Sequence, residues 1–476
     1  MADMPLHRKI PFTLLVSIAL LTSGCGGGSG SSGGGTTPPP PPSTAKEWTW
    51  TSGSSTVNAT GVYGSLGVPA SGNLPGGRSG AVSWIDGSGN LWLFGGYTVS
   101  SANDMYFYND IWEYNSTTKI WTWVSGSSTV NSPGVYGTEG NAASGNVPGA
   151  RSGAVSWIDS TGTFWLFGGN GYDSTGSQGW LNDLWEFNPT NKEWTWVSGS
   201  NVTGASASCY ALQSIPAARS GAASWIDKSG NLWLFGGNGY GFLTCENAPL
   251  SDLWEFNPTN KEWTWVSGRT ATGVGVYGTQ GTPAAGNIPG ARNGAVSWID
   301  GSGNLWLFGG SGFGLTFAGG GLSDLWEFNP TSKEWTWVSG SSTVKTPGVY
   351  GTQGTPAGGN LPGARSGAVS WIDGGGNLWL IGGNGYDSTG TVGELNDLWE
   401  YNPTSKQWTW VSGSSTVKAV GVYSTLGTAA TSNVPGSREG SVSWTDSSGN
   451  LWLFGGDGYD STGTKGYLND LWRYQP

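Results

Sequence analysis

Gly303-Asn-Leu-Trp-Leu-Phe-Gly-Gly310 is the stretch on which the reading of this chain turns. Four consecutive apolar residues stand between turn formers with no alternation, which predicts a strand buried on both faces. The closing glycine pair has no Cβ atoms, so the backbone there can turn sharply or pass close to a neighbour. The stretch recurs from Gly89, Gly230 and Gly449, and in altered form from Gly162 and Gly376. Each copy needs further surfaces to bury it, which points to a repeat architecture.

The period is set by an arginine ahead of each copy: Arg78, Arg151, Arg219, Arg292, Arg365 and Arg438, spaced by 73, 68, 73, 73 and 73 residues. Within each period four strand-like segments follow in fixed order. In the fourth they are Gly-Ala-Val-Ser-Trp-Ile around Ser297, then Leu305 to Phe308, then the segment from Asp324, then the segment from Glu334. The last two alternate, with Trp326 and Phe328 on one side and Trp335 and Trp337 likewise, as outer strands of a small twisted sheet do. Four strands per unit, an aromatic signature and a Gly-Gly doublet point to propeller blades.

With Gly-Gly after the second strand, an aromatic in the third and a tryptophan in the fourth, residues from Lys46 to Pro476 resemble the kelch repeat. The likeness extends to bacterial galactose-oxidase-like and kelch-containing lipoproteins. It implies an all-β fold and is weak for function, because one fold hosts many functions. These repeats exceed the usual kelch unit of about 50 residues, the excess lying in the linkers. The first three segments occur six times; the last copy has no fourth, and an unpaired fourth-type segment, Lys46-Glu-Trp-Thr-Trp50, precedes the first repeat. The expectation is a six-bladed kelch-type β-propeller of four antiparallel strands per blade, closed by the N-terminal strand completing the last blade.

Residues 1–24 resemble a lipoprotein-type signal peptide, with Arg8 and Lys9 before a short apolar core. Leu21-Thr-Ser-Gly-Cys25 resembles a bacterial lipobox, with Leu21 one place further out than usual. That implies lipidation at Cys25; ordinary cleavage nearby is the other reading. Residues 25–45 form a Gly/Ser/Pro-rich tether, reaching roughly 25 Å as a flexible chain. Residues 46–476 are the propeller. The expected location is the bacterial outer membrane or cell surface, otherwise periplasmic or secreted, with membrane contact only through the lipid.

Only 11% of residues are charged, the net charge is −11, and no Lys/Arg run stands outside the signal. Nucleic acid is therefore not an expected partner. The single histidine is His7, in the signal. No imidazole is left for the copper site that a galactose-oxidase likeness would imply, nor for a Ser-His-Asp arrangement. No catalytic residue, cofactor or metal is assigned, and the Asp86-Gly-Ser-Gly-Asn turns read as hairpins rather than calcium loops.

Of the 31 tryptophans only Trp180 lies outside the repeat pattern, so the others read as packing residues rather than a sugar platform. Two charged positions recur: the arginines above and the aspartates Asp110, Asp183, Asp252, Asp324, Asp397 and Asp470. Strand directions place both towards one face. They read either as a ring of arginines for an anion or as a structural Arg–Asp pair per blade. Binding needs asymmetry, and the loops between second and third strands break the repeat with Tyr106-Phe107-Tyr108, Phe242, Phe313 and Phe317. Exposed aromatics on one rim suit a glycan or an envelope or extracellular protein, or they pack the loops together. Cys209 and Cys245, predicted on the same face of an exported protein, suit a disulfide. The function expected is a glycan- or protein-binding module. A carboxylate-based carbohydrate enzyme and a structural envelope protein are the alternatives, although no carboxylate pair stands out from the repeats.

Overall fold

The computed structural model describes residues 46–204, 214–240, 247–268 and 273–476, and among these the chain is all-β with no helix. The fourth repeat shows the common unit. Val296–Ile299, Leu305–Phe308, Leu325–Asn329 and Glu334–Ser339 pair antiparallel in chain order. Trp298 faces Trp306, Leu307 faces Trp326, and a bulge at Leu325/Trp326 lets Trp326 face Trp337. The same quartet recurs from Val82, Val155, Ala223 and Val369. After Val442–Thr445, Leu451–Tyr459 and Lys465–Gln475, the outer strand is Glu47–Ser52, with Trp48 opposite Tyr474 and Trp50 opposite Trp472.

The quoted stretch is buried on both faces, Leu305 through Phe308 being at most 4% exposed. Trp306 and Phe308 pack with Leu378, Leu380, Trp399 and Tyr401 of the next sheet. Leu305 and Leu307 pack with Trp233 and Phe235 of the preceding one. One strand thus serves two interfaces, which is why its apolar residues run without alternation. Leu91, Leu93 and Trp112 pack in the same way against Trp444, Trp452 and Phe454 of the last repeat.

The glycine doublet makes a close approach. Gly309 and Gly310 have φ of +68° and +97°, and a Cβ on either would lie 2.8 Å from a backbone oxygen, of Arg365 or of Asn293. Gly310 N donates to Arg365 O of the next repeat at 2.8 Å. On the innermost strands a second glycine links neighbours: Gly153 N donates to Gly80 O, Gly221 to Gly153, Gly294 to Gly221, Gly367 to Gly294, Gly440 to Gly367, and Gly80 to Gly440.

The long linkers lie over the outer strands. Before the fourth sheet, Val276 bridges Ile288, Gly281 N donates to Trp337 O and Ala284 N to Trp335 O. The outermost edge, otherwise a row of open carbonyls, is thereby covered.

Candidate functional site

The repeated arginines lie where short strands such as Arg151–Ser152 pair with the extension of the second strand, so they share an end of the sheets with the second-to-third loops. All six are at most 3% exposed. Arg292 Nη1 and Nη2 donate to Asp324 Oδ1 and Oδ2 at 2.6 and 2.7 Å, Nε to Gly290 O, and Nη1 also to Gly309 O. Asp324 Oδ2 further accepts from Trp326 Nε1 and from the hydroxyl of linker Tyr277, both at 2.7 Å. Burial and then the Asp324 charge push the Tyr277 pKa far up, keeping it a donor. Burial opposes the charge on Arg292, but Asp324 raises its pKa. Arg78, Arg151, Arg219, Arg365 and Arg438 make the same forked pair with Asp110, Asp183, Asp252, Asp397 and Asp470. Of the two readings left open by sequence, the anion-binding ring is the one corrected: these guanidinium groups are buried and already paired.

The predicted rim aromatics divide. Phe107 is fully buried between Tyr97 and Tyr172, and Tyr108 lies over Arg78 at 4.2 Å. These two pack the loops. Tyr106 is half-buried, Trp180 meets Tyr240 edge-on at 5.0 Å, and Phe313 meets Phe317, which is 67% exposed. Phe242, Cys25, Cys209 and Cys245 lie outside the described residues.

The aspartate turns are filled internally. Asp86 Oδ1 accepts from Ser88 N and Asn90 N, and Oδ2 from Asn90 Nδ2 and Trp92 Nε1. The Gly-Tyr-Asp-Ser-Thr-Gly loops are held by their aspartates too. Burial opposes the Asp173 charge, but donors from Thr203 N, Thr175 and Ser177 hold its pKa down to about 2.

The structure does bring carboxylates together where sequence reading found none. Glu394, Glu439 and Asp457 each offer an oxygen within 4.8 Å of the others. Glu439 pairs across from Asp457, and Glu394 ends the strand Val392–Glu394 of the preceding repeat. Lys465 Nζ lies 2.5 Å from Glu394 Oε1 and 3.3 Å from Asp457 Oδ2. Burial, then the Asp457 and Glu394 charges, push the Glu439 carboxyl up to about 7. Burial opposes the Lys465 charge, while its hydrogen bond to Glu394 raises its pKa. Tyr97 and Tyr467 meet edge-on at 5.5 Å, and Glu439 and Asp457 raise the pKa of both beyond the effect of burial.

A signal for this cluster was present in the sequence. Glu439 stands where other repeats have Ser79, Ser152, Ser220, Asn293 and Ser366, and Asp457 where three have Asn170, Asn238 and Asn384. Two residues beyond Glu439, Ser441 lines the space between the inner strands together with Ser83, Ser156 and Ser297. Deeper, a cavity of about 370 Å³ is walled by Ser83, Ser224, Trp298, Ile85 and Ile299 among others and carries no charged side chain. The asymmetry of the site therefore resides in the acidic group and the loops around it.

The kelch-repeats domain family described as KLHDC2/KLHL20/DRC7 matches residues 65–278, 139–353 and 213–425, each match shifted by about one repeat. No curated protein matches the chain.

Proposed function

The chain belongs to the kelch-repeat domain family, and on that premise we propose that it is a six-bladed, ring-closed interaction module whose loop face receives a protein partner bearing basic side chains. Ring closure is supported by the pairing of Glu47–Ser52 with Lys465–Gln475, the contact of Leu91 and Leu93 with Trp444, and the donation from Gly80 N to Gly440 O. The observation that carries the partner chemistry is the acidic cluster of Glu394, Glu439 and Asp457, which one lysine only partly offsets. It breaks the repeat on the face of the variable loops, with the exposed Phe317 also in a loop of that class. A glycan partner would use the same aromatics with less need of the carboxylates.

The test is an array carrying basic peptides, acidic peptides and glycans, probed with the purified protein and with Glu439→Gln/Asp457→Asn. Saturable binding to basic peptides that the double variant loses is the expected result. A glycan signal indifferent to the double variant would overturn the basic-partner reading. One observation favours a carboxylate enzyme as second reading: Glu439, raised to about 7 beside other carboxylates, is placed as a proton donor. Turnover of aryl glycosides abolished by Glu439→Gln would move the assignment there.

We further propose export and lipid anchoring at Cys25, with residues 25–45 as the tether. Incorporation of radiolabelled fatty acid that Cys25→Ser abolishes is the expected outcome; equal labelling of both would refute it.

A further inference from the structure

Five of the six repeats carry a glutamate in the third strand, and the sheet that follows sets a lysine against it. Glu186 meets Lys261 at 3.8 Å, and Glu400 meets Lys46 at 4.0 Å. Glu113, Glu255 and Glu327 face Lys192, Lys333 and Lys406; burial raises the carboxyl pKa values and the lysine charges oppose it. Each of these lysines stands immediately before a fourth-type strand, as Lys261 does before Glu262–Ser267. An asparagine of the first-to-second turn adds a donor: Asn90, Asn231 and Asn304 Nδ2 reach Glu113, Glu255 and Glu327 at 2.9, 2.7 and 2.6 Å.

The seam between the last repeat and the first reverses the charge. Arg473 stands where the other third strands have glutamate, and the lysine reaching across is Lys119, with Nζ 5.3 Å from the centre of the Trp452 ring. Arg473 is paired directly opposite Trp452 in the ladder, so the two cations flank one indole. Burial lowers the Lys119 pKa and the Arg473 charge lowers it further. Asp446 acts in the other direction, but its oxygens already accept from Ser448 N, Asn450 N and Nδ2, and Trp452 Nε1. Among the described residues neither Lys119 nor Arg473 forms an ion pair. Lys119 is exposed and Arg473 partly so, which leaves both within reach of a ligand.

We propose that this seam binds a carboxylate from outside the chain, in the place where the other five seams supply a glutamate of their own. Arg473 offers a planar fork to both oxygens, and Lys119 adds a second cation from the first repeat. The group comes from an acidic side chain of a partner protein or from a small free acid, since both present the same two oxygens. A carboxylate held there joins the last repeat to the first, as Glu186 with Lys261 joins the second to the third. The site lies by the turns between third and fourth strands, apart from the acidic cluster, and does not depend on the loop-face reading.

The probes are glutarate and the peptide acetyl-Gly-Glu-Glu-Gly-amide, titrated calorimetrically into the purified protein at low ionic strength, where screening is weak. The informative variant is Arg473→Glu, because it installs the residue that five other repeats carry and gives Lys119 a partner within the chain. Saturable binding is expected in the unaltered protein, about tenfold weaker or more in Arg473→Glu, with the variant unfolding at the same or a higher urea concentration. Tighter binding of the peptide would support a protein partner, and tighter binding of glutarate a free acid. Equal binding by the unaltered protein and Arg473→Glu would overturn the proposal, as would the absence of saturable binding of either probe. Inorganic phosphate binding more tightly than both probes would overturn the assignment to carboxylates.

Discussion

Replacing Asp324 by Asn tests the buried pair most sharply. The carboxylate receives four donors: two from Arg292, one from Tyr277 and one from Trp326. Asn keeps the shape but removes the charge and turns one acceptor into a donor aimed at other donors. Arg292 is left charged and buried with no counter-ion, which costs about 3–5 kcal/mol for breaking a buried pair from one side. Removing both charges with Arg292→Met/Asp324→Leu is expected to cost less than Asp324→Asn alone, because no uncompensated charge remains. Urea unfolding followed by tryptophan fluorescence measures both. The solvent-facing pair of Lys261 and Glu186, 3.8 Å apart, is the internal control, and Glu186→Gln is expected to change stability by under about 0.5 kcal/mol. Equal effects of Asp324→Asn and Glu186→Gln would refute the claim that the repeated Arg–Asp pairs are desolvated structural elements.

Trp306→Ala removes an indole that fills the interface with the next sheet and whose Nε1 donates to Asp300; a loss of about 3–5 kcal/mol is expected in the same unfolding assay. Trp48→Ala tests ring closure: it is expected to destabilise the whole domain in one cooperative transition by about 3–5 kcal/mol, whereas a change confined to N-terminal proteolysis would argue against a closed ring. Glu439 has a folded pKa of about 7, above its ordinary carboxylate value, so the native state binds more protons than the unfolded one between those values. Its contribution is present at acid pH and is lost as pH rises from about 4.5 through about 7, by at most roughly 3 kcal/mol. Glu439→Gln is expected to flatten the stability–pH curve in that window, and an unchanged slope would place the titration elsewhere.

Much of the fold was legible because the repeat is long and its cues are local. The unalternated Leu-Trp-Leu-Phe run states that two surfaces must cover it, and each Gly-Gly marks a place where the backbone can turn sharply or approach a neighbour closely. The unpaired segment Lys46 to Trp50 likewise announced a partner strand, and Lys465–Gln475 is that partner. The recurrence of one Arg and one Asp per repeat raised their pairing, since an ion carried unchanged through every repeat suits a shared structural role.

What sequence alone left undecided depends on distance in space rather than along the chain. Glu394, Glu439 and Asp457 are spread over two repeats, and only the pairing of Glu439 with Asp457 and the packing of adjacent sheets bring their oxygens within 4.8 Å. Tyr106, Phe107 and Tyr108 are consecutive aromatics with one composition and different fates, because strand pairing turns Phe107 inward while Tyr108 meets Arg78. The covering of an outer strand by its linker, seen where Gly67, Gly140, Gly281, Gly354 and Gly427 donate to Trp123, Trp196, Trp337, Trp410 and Trp50, likewise joins residues far apart in the chain. Sequence determined the repeat, the buried strand and the recurrence of one Arg and one Asp per repeat; tertiary structure decided that these pair and which irregular residues meet, because burial and electrostatics act through space and not along the chain.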